Sequence, residues 1–575
     1  MRGASSNIRR AVRVACRRRG SPQVLWRYFS DSGTDAPGHE DCDVVVVGGG
    51  PAGLALASAL ASKRTLRGSV KVTLVEGSDL SKIYNWDLPP DAFSNRVVSL
   101  TNATLDFLDE IGAWTHVDVE RTCPIEEMQV WDGISDARMD FNAAALGISR
   151  RGGSNQMARL TETLNLQRGL LRRLREQPNV TLLDNTKVMN ISEDDIPGGA
   201  WPMVQLSDGV TLRARLLVGA DGINSPVRSY SKIDSYGWDY PTCAIVATLL
   251  HPPRTFRPNT CAYQRFLPTG PIAFLPLSPT ASSLVWSTSP ALAAVLTKTD
   301  PAVLTSMINA AFRLPEVSVR YLHGHLLDVP SLSPDDLRAE ISFREQAHAI
   351  APYSALASAN VHPAEAGVGI PDEGAHGLPP LVADIQPGTV ASFPLRFRHA
   401  EAYIGNRTAL IGDAAHVIHP LAGQGLNLGL GDAAALARCI QTAVMHGGDI
   451  GSRTALVPYT RERYFENHKM MSAVDKLHKL YASTAPPLVW ARSTGVEVLN
   501  ELDTLKAGII GAAGGRSSAH SVPGSPWEMV AGGVETLVSG TRVMGAVGTG
   551  LRSVAGGILQ QLGRVASGPG KDQRE

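Results

Sequence analysis

Cysteine is scarce in this chain. Six residues, Cys16, Cys42, Cys123, Cys243, Cys261 and Cys439, are spread over 575 positions. No two form a CxxC pair, which excludes a disulfide framework and a Cys-rich zinc site. An excess of either charge is also missing, since Lys plus Arg and Asp plus Glu both number 54. Without a broad basic field, nucleic acid is not an expected partner. Acid is absent from residues 1–30, which hold eight Arg and no Lys. An Arg-rich, Ser-containing, acid-free leader has the composition of a mitochondrial transit peptide. Arg27-Tyr28-Phe29-Ser30 reads as a matrix-protease cleavage site. Residues 1–29 are therefore expected to be removed, and 30–40 to form a polar linker. Long unbroken apolar helices are lacking too. Val44–Ser62 and Phe266–Thr297 are free of charge for 19 and 32 residues. Gly48-Gly49-Gly50-Pro51 interrupts the first, and Pro268, Pro271, Pro276, Pro279 and Pro290 interrupt the second. No membrane-spanning segment is expected, and the second stretch reads as short strands and turns.

The chain holds 43% hydrophobic residues, enough for sizeable cores. Asp43–Val47 reads as a buried parallel strand, because its β-branched run is apolar on both faces. Gly48-Gly49-Gly50-Pro51-Ala52-Gly53 follows, then a helix from Leu54. Gly48, Gly50 and Gly53 fit GxGxxG in the strand–turn–helix context that the motif requires. There the glycines permit a tight turn, close backbone approach to a diphosphate, and close helix–strand packing. The diphosphate rests on the free N–H groups and positive end of the helix. A second strand, Val70–Val75, ends at Glu76, the position of a ribose-binding acid. The motif alone leaves FAD and NAD both open.

Two further segments repeat the strand-then-acid arrangement. Leu216–Gly222 runs into Asn224-Ser225-Pro226-Val227-Arg228 and reads GADGxxSxVR, with Asp221 as its acid. Ala409–His416 contains Gly412-Asp413. After it come Pro420-Leu421-Ala422-Gly423-Gln424-Gly425-Leu426-Asn427 and a small-residue helix, Gly431–Thr442. His416 and His419 have no third ligand in register and read as loop packing, so no metal is expected.

The three motifs together resemble the class A flavoprotein aromatic hydroxylases, the para-hydroxybenzoate hydroxylase type. The resemblance implies FAD as cofactor. It places Asp413 on a ribityl hydroxyl and the Gly423–Asn427 loop, including Gln424, Gly425 and Leu426, at the flavin pyrimidine edge. A helix N-terminus there stabilises the negative charge of reduced flavin. It also places Asp221 in the middle motif, Arg96 on FAD, and Gln167, in a helix Leu166–Arg175, on the adenosine side. Chemistry then passes through a flavin C4a-hydroperoxide attacked by an electron-rich ring. No side chain is expected to be catalytic, and no nucleophilic Ser, Cys or carboxylate pair is required.

Gln264–Leu277 with Ser282–Ser287, Arg96–Leu100, Leu108–Trp114 and Met471–Tyr481 is similar to the ubiquinone-biosynthesis ring hydroxylases, mitochondrial branch. That likeness implies a polyprenylated hydroxybenzoate substrate, O2, and electrons from a ferredoxin and its reductase, or from NADPH. It implies other ubiquinone-biosynthesis enzymes in a complex, and a peripheral location on the matrix side of the inner membrane. A hydroxylase of a soluble aromatic such as kynurenine or salicylate stays open, as does a non-catalytic FAD-bound scaffold subunit.

The expected fold class is α/β: a Rossmann-like FAD-binding domain built from discontinuous segments, a β-sheet substrate domain, and C-terminal helices. The FAD-binding domain is expected to draw on 41–235 and again on 391–445. Between them, 236–390 is expected to form the substrate domain, strand-rich and helix-poor, with a surface insertion near 362–385. Helices are expected over 446–514. Residues 515–575 form a Gly-rich tail, disordered or lying on a membrane surface.

Overall fold

The computed structural model describes residues 38–513, apart from 64, 67–68, 151–153, 195–199, 255–256, 353 and 359–376. The expected transit peptide, the tail, most of the expected linker and some of the expected insertion lie outside the described residues. The strands in chain order are β1 (His39–Val47), β2 (Val72–Val75), β3 (Val97–Thr101), β4 (Thr122–Ile125), β5 (Glu127–Asp132), β6 (Arg138–Asn142) and β7 (Ala158–Glu162). Next come β8 (Val180–Leu183), β9 (Val188–Glu193), β10 (Pro202–Leu206), β11 (Thr211–Gly219), β12 (Ser235–Leu250), β13 (Cys261–Leu267), β14 (Gly270–Pro276) and β15 (Ala281–Thr288). The last are β16 (Asp384–Ile385), β17 (Ala391–Ala400), β18 (Ile404–Gly405), β19 (Thr408–Leu410) and β20 (His416–Val417).

One sheet runs β18-β19-β11-β1-β2-β8, and β1 pairs in parallel with both β11 and β2. The Val44–Val47 run sits at its centre, buried on both faces. A parallel crossover needs a covering helix, and α1 (Pro51–Ser62) supplies it. Alanine and leucine bury nearly all of that helix. The strand starts at His39, so the fold begins two residues inside the expected linker.

A second sheet runs β20-β17-β12-β15-β14-β13-β5-β6, with β16 on the edge of β12. The helices of the first half are α2 (Ser81–Tyr84), α3 (Asn102–Glu110), α4 (Thr163–Arg175) and α5 (Pro226–Tyr230). Then α6 (Pro290–Leu296), α7 (Pro301–Arg313), α8 (Glu316–Asp328) and α9 (Pro334–Ala347) cover one face of the second sheet. This corrects the helix-poor expectation for 236–390. Proline acts here as a starter: Pro290, Pro301 and Pro334 open helices whose first turns are capped by the side chains of Ser289, Asp300 and Ser333.

Two further boundaries differ from expectation. Residues 391–400 belong to the second sheet, because β17 pairs with β12 along its length. The described end of the expected surface insertion is buried, with Leu378, Val382 and Ile385 in the core beneath that sheet. Its prolines had masked an apolar pattern. The chain closes with α10 (Gly425–Met445), α11 (Arg453–Ala482), α12 (Pro486–Asn500) and α13 (Asp503–Ala513). Among the described residues, no helix is long and apolar enough to cross a membrane.

A fully buried ion pair fastens α12 to the second sheet. Arg492 donates to both Asp132 oxygens, Nε at 3.0 Å and Nη2 at 2.9 Å. Its Nη1 serves the carbonyls of Leu480, Tyr481 and Ser483. Removing one partner leaves a charge buried and unpaired, so Arg492→Met is expected to destabilise the protein by about 3 kcal/mol or more. Urea unfolding followed by circular dichroism measures this.

Candidate active site

The glycine turn after β1 is held by sterics as much as by hydrogen bonds. Gly48 has φ +111°, and a Cβ there would lie 2.2 Å from the carbonyl oxygen of Ala220. The first and middle motifs thus touch backbone to backbone. Gly50 faces open space, since a Cβ there would meet nothing within 4 Å. The N-terminus of α1 carries no side-chain cap, Pro51 is its first residue, and Ala52 and Gly53 follow. Glu76, at the end of β2, accepts from the Gly49 N–H at 2.6 Å and from the Ser78 N–H at 2.8 Å. The Gln167 amide donates to the Gly49 carbonyl at 2.8 Å. Gln167 lies one turn inside α4, which starts at Thr163 and not at Leu166.

Asp221 supports the middle turn. Its Oδ2 accepts from the Val227 N–H at 3.2 Å, while its Oδ1 is buried with no partner. Burial raises the Asp221 pKa, against the lowering effect of bonds from Ser225 and Val227. Arg228, in the same motif, reaches the Ala414 carbonyl at 2.8 Å and joins the middle motif to the third.

Asp413 exposes its side chain to the cleft and makes no hydrogen bond with any described residue. The protein around it still raises its pKa by desolvation, opposed by His416. Gly423 takes a left-handed conformation, φ +60°, and α10 then begins at Gly425 with no side-chain cap from Gln424. The helix starts six residues before the expected Gly431. Leu426 turns its side chain into the nucleotide-domain core. Asn427 differs from expectation, because protein groups occupy its whole side chain. Nδ2 donates to the carbonyls of Ser99 (2.7 Å) and Gly423 (3.1 Å). Oδ1 accepts from the Thr101 N–H (3.0 Å) and the Thr104 hydroxyl (2.8 Å). Asn427 therefore braces the loop against β3, leaving its main chain to face a ligand. Arg96 directly precedes β3 and is exposed, with no side-chain partner among the described residues.

Sequence reasoning missed Asp432. It is fully buried on α10 and accepts from Gly412 N–H (3.2 Å), His416 Nε2 (2.6 Å), Arg463 Nε (2.9 Å) and Asn467 Nδ2 (2.9 Å). Burial raises its pKa, but His416 and Arg463 outweigh that and hold it lowered. The signal was available: Asp432 is the one acid in a 21-residue helix of small and apolar residues, an expensive group to bury without partners. His416 thus serves a carboxylate. Nδ1 of His419 accepts from the Leu421 N–H.

The second wall of the cleft is the free face of the β12–β15 sheet. Side chains alternate, so Ile245, Tyr263 and Trp286 enter the core under α6–α9, while their neighbours face the cofactor elements. Register aligns Val246, Val285, Ala273 and Gln264 across four strands on that face. Val285 on β15, and Ala273 and Leu275 on β14, stay partly exposed within otherwise buried strands. Val97, Ile418 and Tyr481 border the face, the last stacked on Phe266 at 3.9 Å.

Two uncapped helix ends, the Glu76 carboxylate and the exposed Asp413 side chain supply the donors and acceptors that a dinucleotide calls for. A family described as "FAD binding domain" matches residues 41–338 and 375–473, and the chain belongs to it. Mitochondrial ubiquinone biosynthesis monooxygenase COQ6 of Saccharomyces cerevisiae is 38% identical over 505 residues, covering 86% of this chain and 97% of the yeast protein. The Homo sapiens protein of that name is 35% identical over 511 residues, covering 88% and 97%. Within the FAD-binding family the chain is thus a member of the ubiquinone-biosynthesis monooxygenases. Among solved structures, p-nitrophenol 4-monooxygenase PnpA from Pseudomonas putida has a TM-score of 0.55 at 18% identity, covering 83% of this chain and 100% of that one. That likeness shows the shared fold.

The geometry of Asp413 sets the first expectation for this site. Asp413→Ala removes the carboxylate expected to bind the ribityl chain, so FAD affinity is expected to fall roughly ten- to hundredfold, read by flavin fluorescence on titration. A second expectation concerns pH. Burial, then the charges of His416 and His468, brings His399 down to about 4, and burial, then His478, brings His419 down to about 3. Unfolded histidine titrates near about 6.5. The unfolded chain therefore binds more protons between these values, and the stability from keeping both rings neutral is lost as pH falls from about 6.5 toward 4. The urea midpoint is expected to be lower at pH 5 than at pH 7.5, and His399→Gln to shrink the difference.

Proposed function

We propose that this monooxygenase hydroxylates the aromatic ring of a polyprenylated hydroxybenzoate intermediate, with O2 as co-substrate. The observation that supports this reading is the neutral sheet face. Val246, Ala273 and Val285 line up as an apolar strip beside the cofactor elements, a surface suited to a prenyl chain. A kynurenine- or salicylate-type substrate has no such chain to lay there.

FAD, when bound, supplies the oxygen chemistry. In this reading the chain's residues hold and orient it. Glu76 takes the adenosine ribose, and the α1 N-terminus after Gly48–Gly53 takes the diphosphate. Asp413 takes the ribityl chain, and the main chain of Gly423–Asn427 takes the pyrimidine edge. Gln167 borders the adenosine side, Arg96 contacts FAD, and Asp221 keeps the middle turn in place. The apolar sheet excludes water from the ring-facing side. The electron donor is taken to be a ferredoxin system, with NADPH as the other source. The enzyme works in the mitochondrion on the matrix side of the inner membrane, with other enzymes of ubiquinone biosynthesis.

Val285→Trp fills the platform without touching the cofactor residues. It is expected to retain FAD and to lose about tenfold or more in kcat/KM for a prenylated hydroxybenzoate, measured by product formation. In cells lacking the chain, mass spectrometry should find an under-hydroxylated prenylated aromatic accumulating, and accumulation of a soluble aromatic instead would defeat the reading.

A further inference from the structure

The neutral sheet face carries one amide with nothing to bond. Gln264 is 6% exposed, yet its side chain makes no hydrogen bond with any described residue. Its direction follows from its neighbours on β13. Tyr263 enters the core beneath α6–α9. Arg265 donates to the carbonyls of Ala311 and Leu314 on that same side, at 2.9 and 2.8 Å. Alternation then turns Gln264 the other way, onto the face where Phe266 stacks on Tyr481. It stands opposite Ala273 and in line with partly exposed Val285. An amide on this face with no protein partner is free to pair with a ligand group there.

We infer that Gln264 is a specificity-determining residue that hydrogen-bonds a neutral phenolic hydroxyl of the aromatic substrate and thereby sets which edge of the ring faces the cofactor. The inference rests on the proposed aromatic substrate and adds the group that is recognised. An amide both donates and accepts but carries no charge. It matches a phenol O–H and gives no counter-charge to a carboxylate. Its partner must be neutral, because the free-face positions of β12–β15, including Ser283 and Ser287, are all uncharged.

The test titrates the FAD-loaded enzyme with 2-geranylphenol and with its methyl ether, following the perturbation of flavin absorbance. The wild type is expected to prefer the phenol by roughly five- to tenfold, the worth of one neutral hydrogen bond. Gln264→Leu should bind both compounds equally, with its affinity for the ether, its FAD content and its thermal unfolding unchanged. Gln264→Asn, which keeps the polarity but draws the amide back by one carbon, should lose the same preference. It serves if the leucine variant fails to fold. A variant that binds and still prefers the phenol as strongly as wild type overturns the role of Gln264 alone. A wild type that binds neither compound, nor 3-geranyl-4-hydroxybenzoate, overturns the substrate class, whereas one that binds only the benzoate overturns the Gln264 assignment alone.

Discussion

The cofactor site depends on three small residues meeting where side chains would not fit. Ala52 is the second residue of α1, Gly412 precedes Asp413, and Gly429 lies one turn inside α10. A Cβ on Gly429 would stand 3.1 Å from the Gly412 Cα and 3.6 Å from the Ala52 Cβ. This contact lets two helices start side by side with both N-termini pointing into one cleft. Each uncapped end presents free N–H groups and a partial positive charge. A bulkier residue at any of the three positions would separate the groups that hold the two ends of one long anionic ligand.

Close approach alone would not fix the angle between these elements. Asp432 does so with donors drawn from two segments: Gly412 and His416 of the loop, and Arg463 and Asn467 of α11. The network continues outward, since the Asn467 amide also meets the Tyr403 hydroxyl at 3.2 Å, and His399 lies 3.0 Å beyond. A carboxylate buried this deeply is tolerable only because each lone pair is used. The brace at Asn427 works in the same way at lower charge, tying α10 to the strand behind Arg96. The open groups, Asp413 and Arg96, thus stand on supports whose own polar atoms are engaged.

Much of the site was legible in the sequence because backbone chemistry demands particular residues at fixed offsets. The glycine turn, the acid ending β2 and the Gly412-Asp413 pair each announce a strand running into a ligand-facing turn. The valine run of β1 likewise declares a strand buried on both faces. What escaped notice depends on contacts distant in sequence. Asp432 looked like an ordinary member of a bland helix until His416 and Arg463 were placed beside it. Asn427 looked like a ligand because it sits in the loop, whereas β3, more than three hundred positions earlier, had already claimed its amide. The helices over the second sheet were hidden by proline, whose meaning changes from breaker to starter according to whether a Ser or Asp stands before it.

The clasp between Arg492 and Asp132 bridges 360 positions, and this bears on how the molecule is made. A chain emerging from its N-terminus displays β5 long before α12 exists. Until then the Asp132 carboxylate keeps its water shell, and the β5–β6 side of the second sheet stays unsealed. Such long-range closure is slow. Completion of this enzyme is therefore an event of the finished polypeptide, and a chain cut short before α12 would carry every cofactor motif yet leave its sheet permanently ajar.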